Sequence, residues 1–84
     1  MTYEVLVPEK IERKIKKLDK VNQGRVISKL NDLEENPELG KPLRHTRLWS
    51  LRVGKYRIIY EINRTRMEIY VESFMHRKEG YEGI

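Results

Sequence analysis

The residues of this chain best suited to chemistry are two arginines on either side of a short turn, Arg52 and Arg57. They flank Gly54-Lys55, and a glycine at the first central position of a two-residue turn favours a type II′ β-hairpin. In that register Arg52 lies opposite Arg57, and both side chains leave the same face of the sheet, where like charges repel. One explanation for the pair is a bound phosphate that accepts hydrogen bonds from both guanidinium groups. The alternative explanation is that both arginines lie on a solvated face with a carboxylate nearby.

A second candidate group lies near the C-terminus and consists of His76, Arg77 and Tyr81. If the alternating segment over residues 67–74 forms a strand beside the second hairpin strand, these three residues come near the arginine-bearing face. Metal-independent cleavage of RNA suits such groups, because the 2′-hydroxyl attacks the neighbouring phosphorus and fixed cations stabilise the charge that develops there. Together with Arg52 and Arg57, the group favours phosphodiester cleavage of RNA.

The distribution of charge also indicates a polyanionic partner. The sequence has 18 Lys and Arg against 13 Asp and Glu, a net charge of +5. Between Leu39 and Tyr60 it contains six cations and no carboxylate. Such an unrelieved basic segment is typical of nucleic-acid binding. Besides Arg57, the candidate RNA- or ribosome-binding residues of this segment are Lys41, Arg44, Arg47, Arg52 and Lys55.

Composition excludes several other kinds of chemistry. The chain has no cysteine, so it forms no disulfide and offers no thiol nucleophile. Its 2 histidines lack metal-ligand spacing, and its 5 glycines form neither a phosphate-cradling loop nor a dinucleotide fingerprint. No segment approaches the ~20 apolar residues of a membrane helix, and the N-terminus lacks the pattern of an export signal. We therefore expect a cytoplasmic protein that needs no metal, cofactor or membrane.

The elements that position the candidate residues follow from hydrophobic periodicity. Residues 2–7 alternate as a strand, residues 8–18 and 22–35 carry apolar stripes at helical spacing, and residues 37–46 read as a loop. The hairpin covers residues 48–62, and residues 67–74 form the last strand. The length of 84 residues fits one domain over 1–84. The predicted fold class is α+β in the order β-α-α-β-β-β, with a mostly antiparallel four-stranded sheet that carries both helices on one face.

Alternation divides the hairpin into a core face under the helices and an open face that carries the arginines. The aromatic residues of the core face share its parity with aliphatic ones, so we expect them to pack rather than to bind bases. The core face is predicted to carry Trp49, Leu51, Val53, Tyr56, Ile58, Tyr60 and Ile62, with Met67, Ile69 and Val71 from the last strand. The open face is predicted to carry Leu48, Ser50, Arg52, Arg57, Ile59 and Glu61, with Glu68, Tyr70 and Glu72.

The segment from Leu51 to Tyr60, Leu-Arg-Val-Gly-Lys-Tyr-Arg-Ile-Ile-Tyr, followed by His76-Arg77 and Tyr81, resembles the RelE toxins of the RelE/ParE toxin–antitoxin superfamily. The resemblance implies a microbial-ribonuclease-like fold, a ribosome-dependent endoribonuclease that cuts messenger RNA in the A site, and a cognate RelB-like antitoxin. It also implies that Arg57 stabilises the scissile phosphate, that Arg77 contacts it or protonates the leaving oxygen, and that Tyr81 stacks on a base.

One departure from the RelE pattern concerns proton transfer. In RelE toxins, lysines on the strand before the hairpin turn supply this capacity, and the matching positions here are Leu48 and Ser50. His76 and Glu72 are the candidate replacements for the general base. Two other functions stay open at this point. They are a ParE-like toxin that inhibits DNA gyrase and a non-catalytic RNA- or ribosome-binding module.

Overall fold

The computed structural model describes residues 2–77, in which two helices pack on one face of a five-stranded mixed sheet. The strand order is β1-β5-β4-β3-β2; β1 pairs with β5 in parallel, and the other neighbours are antiparallel. The elements are β1 (Glu4–Leu6), α1 (Glu9–Lys16), α2 (Lys20–Glu35), a 3₁₀ helix (Pro37–Leu39), β2 (Lys41–Pro42), β3 (Leu48–Val53), β4 (Tyr56–Asn63) and β5 (Glu68–His76).

The α+β class and the order of the predicted elements are confirmed, with one strand more than the four expected. The additional strand is β2, which lies inside the segment predicted as a loop and pairs with β3. It is only two residues long and contains Pro42, so it has no alternation by which to recognise it. A proline is tolerated there because β2 forms the edge of the sheet.

Both helices begin and end where local chemistry favours it. In α1, Glu9 and Glu12 occupy the first turn and basic residues occupy the last turn, which complements the helix dipole. The Asp19 side chain caps α2 by accepting a hydrogen bond from the Asn22 backbone N–H. Helix α2 ends at Glu35, two residues before Pro37, whose ring disfavours helical geometry in the residue that precedes it.

The predicted hairpin register is confirmed. Val53 pairs with Tyr56, Arg52 with Arg57 and Leu51 with Ile58. The turn residue Gly54 has a φ of +59°, in the region that glycine adopts without strain. The core lies between the helices and the predicted core face. Its most completely buried side chains are Tyr60, Leu33, Ile58, Ile69 and Val26.

A β-bulge in β5 changes which residues share a face. Ile59 pairs with Ser73, whereas the next residue, Tyr60, pairs with Val71, so Glu72 is the additional residue on β5. Before the bulge, the odd-numbered residues of β5 therefore face the core, and after it the even-numbered residues do. Phe74, which follows the bulge, is only 4% exposed. Because of this shift His76 pairs with Tyr56 on the helix side. The expectation that His76 lies near the open face is therefore wrong.

Within residues 2–77, neither helix is long and apolar enough to cross a lipid bilayer.

Candidate nucleic-acid interface

The paired arginines lie on the sheet face opposite the helices. Arg52 on β3 is directly opposite Arg57 on β4, with Arg52 exposed and Arg57 half-buried. The neighbouring pair on this face is Ser50 with Ile59. The structure therefore places two guanidinium groups side by side above the middle strands of the sheet.

Strand β2 brings a third cation to the same face. Lys41 pairs with Ser50, so it continues the row of Ser50 and Ile59 toward the sheet edge. A cavity of about 410 Å³ opens between β2 and the arginines. The described residues that line it include no carboxylate, and it therefore suits an anion. The lining residues are Leu39, Gly40, Lys41, Ser50, Leu51, Arg52 and Arg57.

Tyr60 holds the segment before β2 in place. Its hydroxyl donates a hydrogen bond to the Pro37 carbonyl at 2.7 Å and accepts one from the Gly40 N–H at 3.0 Å. Burial raises the pKa of the Tyr60 hydroxyl above its ordinary value, so the group stays protonated and able to donate. Sequence reasoning assigned Tyr60 to the core and missed this anchoring role, because the contact joins residues 20 and 23 positions apart.

Replacing Tyr60 with phenylalanine tests the anchor. The variant leaves the Pro37 carbonyl and the Gly40 N–H without their partner, and an unsatisfied buried group costs about 1–3 kcal/mol. We expect the free energy of unfolding to fall by that amount in urea titrations. Replacing the half-buried Tyr56, which shares the core face, with phenylalanine is the control. Equal stability of the Tyr60→Phe variant and the original protein would contradict the anchoring role.

Gly40 allows β2 to approach β3 closely. A Cβ atom at this position would lie 2.6 Å from the Ser50 carbonyl oxygen and 2.9 Å from the Tyr60 hydroxyl. The first of these is a backbone atom, so the strand itself would have to move. The absence of a side chain at Gly40 thus sets the position of Lys41 over the cavity.

Alanine at Gly40 is therefore expected to displace β2 and to destabilise the fold by about 1–3 kcal/mol, as overpacking does. Thermal unfolding measures the effect. The matched control is Gly24→Ala in α2, where an added Cβ meets nothing within 4 Å. That control should stabilise the protein by about 0.5–1 kcal/mol, because alanine favours a helix more than glycine does. If both alanine variants change the thermal stability by the same amount, the close approach of β2 to β3 does not require glycine at position 40.

Arg77 directly follows the last residue of β5. The Arg77 N–H donates to the Lys55 carbonyl at 2.8 Å, which holds its backbone beside the hairpin turn. Arg57 pairs with Met75, two residues before Arg77. Arg77 itself is helical, so the alternation of the strand stops at His76.

The two candidate general bases do not line the cavity that Arg52 and Arg57 line. The His76 ring meets the edge of Tyr56, with ring centroids 5.6 Å apart, on the face that the helices cover. Glu72 is exposed at the bulge. The signal for the bulge was present in the sequence, because the apolar parity changes from odd at Val71 to even at Phe74. Tyr81 lies outside the described residues.

The remaining basic candidates lie at the two ends of β3. Arg44 and Arg47 are exposed in the turn between β2 and β3, and Lys55 is exposed in the hairpin turn at the opposite end. A strand of six residues is roughly 20 Å long, so the two groups do not share a single site. Only Lys41 and Arg52 of the five candidates line the cavity with Arg57. The predicted basic segment is thus one central cluster with flanking cations.

Comparison with known proteins places this fold in a family. Residues 6–81 match the model of the family described as "ParE toxin of type II toxin-antitoxin system, parDE". No curated protein sequence matched the chain. Among solved structures, the chain is similar to the Mycobacterium tuberculosis toxin–antitoxin complex RelBE2, at 28% identity and a TM-score of 0.81, over 92% of this chain and 100% of that one.

Two further solved structures have the same fold. The archaeal RelE–RelB complex from Pyrococcus horikoshii is 27% identical with a TM-score of 0.81, covering 92% of this chain and 97% of that one. The isolated Escherichia coli RelE toxin is 21% identical with a TM-score of 0.75, covering 96% of this chain and 93% of that one. Because the family match spans nearly all of the sequence, this chain belongs to the ParE toxin family of type II toxin–antitoxin systems, and its fold is that of a RelE-type toxin.

Proposed function

We propose that this toxin inhibits translation by cutting messenger RNA on the ribosome. The observation that carries the proposal is the cavity on the open face, where Lys41, Arg52 and Arg57 surround Ser50. Among the described residues that line the cavity, three are cations and none is a carboxylate, which suits a phosphodiester better than a neutral or cationic ligand. A gyrase inhibitor that acts only by protein contact has no need of such a cavity.

The proposed reaction is attack of a 2′-hydroxyl on the adjacent phosphorus. A five-coordinate phosphorane-like transition state carries more negative charge on its nonbridging oxygens than the substrate does. Arg57 donates hydrogen bonds to those oxygens from the open face and stabilises the transition state. Arg77 contacts the phosphate or protonates the leaving oxygen. Arg52 contacts the phosphate from β3, and Tyr81 stacks on a base and orients the nucleotide. The ribosome supplies the remaining alignment of the RNA.

Addition of the purified protein to translating ribosomes tests this function. We expect new 5′ ends within coding sequence, at the codon held in the A site. The same messages without ribosomes should remain intact, because the protein alone does not align the RNA. Folded protein that leaves all messages uncut on ribosomes would reject the proposal.

A second candidate function is inhibition of DNA gyrase. The observation that favours it is the family match, whose description names ParE toxins over residues 6–81. A supercoiling assay with purified gyrase separates the two functions. Loss of supercoiling activity at toxin concentrations that leave messages uncut would favour the gyrase target.

We infer that a RelB-like antitoxin restrains the toxin in the cell. The RelBE2 and Pyrococcus structures to which the chain is similar are both complexes of a toxin with an antitoxin. An acidic segment of such a partner would complement the cationic cavity and cover its arginines. Co-expression with a small acidic protein encoded beside the toxin should yield a complex that no longer cuts RNA. A complex that retains full activity would contradict coverage of the open face.

A further inference from the structure

We propose that a second cavity, between α2 and the hairpin turn, binds the phosphodiester backbone of the message just downstream of the cleaved linkage. Arg25 and Lys29 of α2 line this α2 cavity, and Arg52 connects it with the cavity on the open face. The inference rests on the proposed ribonuclease function and adds a substrate-binding site beside the hairpin.

Two cations of α2 line the α2 cavity without a carboxylate beside them. The cavity measures about 550 Å³, and its described lining includes Arg25, Lys29 and Arg52 but neither Asp nor Glu. Arg25 and Lys29 are four residues apart on one helix face, where like charges destabilise a helix. Within residues 2–77 neither of them forms an ion pair. A bound anion would relieve their repulsion.

Small residues of α2 leave the cavity open. Gly24 and Ser28 are exposed among its lining residues, and a Cβ atom at Gly24 would meet nothing within 4 Å. The Arg25 guanidinium lies beside the hairpin turn, with its Nη1 3.7 Å from the point that a Cβ atom of Gly54 would occupy. A phosphate in this space therefore has a guanidinium group next to it.

Arg52 joins the two cavities in one cationic path. It lines the α2 cavity and also the open-face cavity that Arg57 lines. Strand β2 pairs only with Trp49 and Ser50, so the described part of the chain places no strand beside Arg52 at that edge of the sheet. A polyanion bound at Arg57 can therefore cross this edge and enter the α2 cavity.

Carboxylates at the other end of the open face oppose a different course for the RNA. Glu61 lies four residues beyond Arg57 on β4, about 13 Å away at the usual rise of a strand. On the same face Glu68 of β5 pairs with Glu4 of β1. Within residues 2–77, Arg66 forms the one ion pair of this group, with Glu68. Phosphates are thus repelled at this end and attracted at the hairpin turn.

The downstream side of the message is the side free to follow the cationic path. Nucleotides upstream of the A site are paired with transfer RNA in the neighbouring site of the ribosome. With the scissile phosphate at Arg57, the chain that continues past Arg52 is therefore the downstream one. Its phosphates accept hydrogen bonds from Arg25 and Lys29.

Binding of the toxin to programmed ribosomes tests the α2 cavity. The message carries ordinary or neutral methylphosphonate linkages downstream of the A-site codon, and a 2′-methoxy group at the cleaved nucleotide prevents reaction. We expect Arg25→Ala/Lys29→Ala to bind the ordinary message at least about 10-fold more weakly than the original protein, because hydrogen bonds to charged groups are lost. The slope of log affinity against log salt should become shallower by roughly 1.4, at about 0.7 per phosphate contact. On neutral linkages the two proteins should bind alike.

Two controls separate a local contact from net charge. Arg13→Ala/Lys17→Ala removes the same two residue types, at the same spacing, from exposed positions in and just after α1. This control should bind both messages within a few-fold of the original protein. Ser28→Glu adds a carboxylate to the cavity and should weaken binding to the ordinary message, whereas Ser28→Gln, of nearly equal size, should not. Thermal unfolding checks that all variants are folded.

Cleavage of a message without the 2′-methoxy group separates binding from chemistry. Arg25 and Lys29 contact the substrate away from the reacting atoms, so their loss should affect the bound substrate and the transition state equally. The double variant should therefore need more toxin for a half-maximal rate, with an unchanged single-turnover rate at saturation. Arg57→Ala, in contrast, should lower the rate at saturation.

Two results would overturn the α2 cavity while leaving the ribonuclease function intact. If Arg25→Ala/Lys29→Ala binds like the Arg13→Ala/Lys17→Ala control, no phosphate binds in the cavity. An equal loss of affinity on ordinary and neutral messages would assign the cavity to ribosomal RNA instead of the message. If the original protein binds the ribosome but cuts no message, the ribonuclease function itself is rejected and this inference falls with it.

Discussion

Alanine at position 57 is expected to slow message cleavage on ribosomes by about 10²–10³-fold, which corresponds to roughly 2.7–4 kcal/mol of transition-state stabilisation. In the proposed reaction Arg57 donates to a phosphate whose negative charge increases as the reaction proceeds, so its removal should affect the transition state more than the bound substrate. The side chain is half-buried on the open face, outside the helix-covered core, and the variant should remain folded. Single-turnover cleavage measures the loss, and circular dichroism checks the fold.

The matched control is Arg13→Ala, which removes the same side chain from the opposite side of the sheet. Arg13 is exposed on α1 and pairs with Glu9 one turn away. An exposed pair of this spacing contributes little to stability. Arg13→Ala should therefore keep the full cleavage rate. A rate for Arg57→Ala within a few-fold of this control would show that the phosphate does not bind at Arg57.

Substitution of Ile58, the residue next to Arg57, should lower stability rather than the cleavage rate. Ile58→Ala is expected to lower the free energy of unfolding by about 2–5 kcal/mol, because the truncation leaves a cavity in the packed core. Ile58 is 1% exposed and points toward the helices from the same strand that presents Arg57 to the open face. A loss of this size is a large part of the stability of a small domain. The midpoint of urea unfolding measures it.

The control for Ile58→Ala is Ile27→Ala in α2. Ile27 is 47% exposed, and substitutions at exposed positions usually change stability by no more than about 0.5 kcal/mol. Where Ile58→Ala remains folded, its cleavage rate per folded molecule should be close to the original. A stable Ile58→Ala variant would contradict the assignment of that face to the core. Arg57→Ala thus tests the cleavage chemistry, and Ile58→Ala, one residue further along the same strand, tests the stability of the fold.

The central hairpin was predictable because each of its constraints is local. Gly54 selects the turn, and the turn then fixes the pairing of Arg52 with Arg57. Alternation assigns every following side chain to a face, so Ile58 and Tyr60 were correctly assigned to the core. The helices were also predictable, because their apolar stripes have the helical period.

What the sequence did not reveal depends on contacts between distant segments. Tyr60 holds the 3₁₀ helix that precedes β2 against the sheet, through a contact that no local pattern encodes. The pairing of β2 with β3 places Lys41 opposite Ser50 and so brings it to the cavity. The sequence predicted Lys41 as a binding residue but did not predict which residues lie beside it. The bulge at Glu72 is different, because the change of apolar parity between Val71 and Phe74 is a local signal for it. Counting residues without the bulge assigns His76 to the wrong face.

The predicted convergence of Arg57 and Arg77 depends on the course of the chain after β5. The Arg77 N–H donates to the Lys55 carbonyl, so the backbone of Arg77 lies beside the hairpin turn, directly after β5. Their roles, and that of Tyr81, remain predictions. The comparison with RelE-type structures establishes the fold that presents Arg57, and the proposed chemistry rests on the cavity that Arg57 lines with Arg52 and Lys41.

The termini of the RNA products test the account most directly. The toxin is incubated with ribosomes that hold a defined codon in the A site, and both cleavage ends are identified chemically. We expect one cut at that codon, with a 2′,3′-cyclic phosphate on the upstream fragment and a 5′-hydroxyl on the downstream fragment. An intact message, or fragments with 3′-hydroxyl and 5′-phosphate ends, would contradict attack by the 2′-hydroxyl at this cationic face.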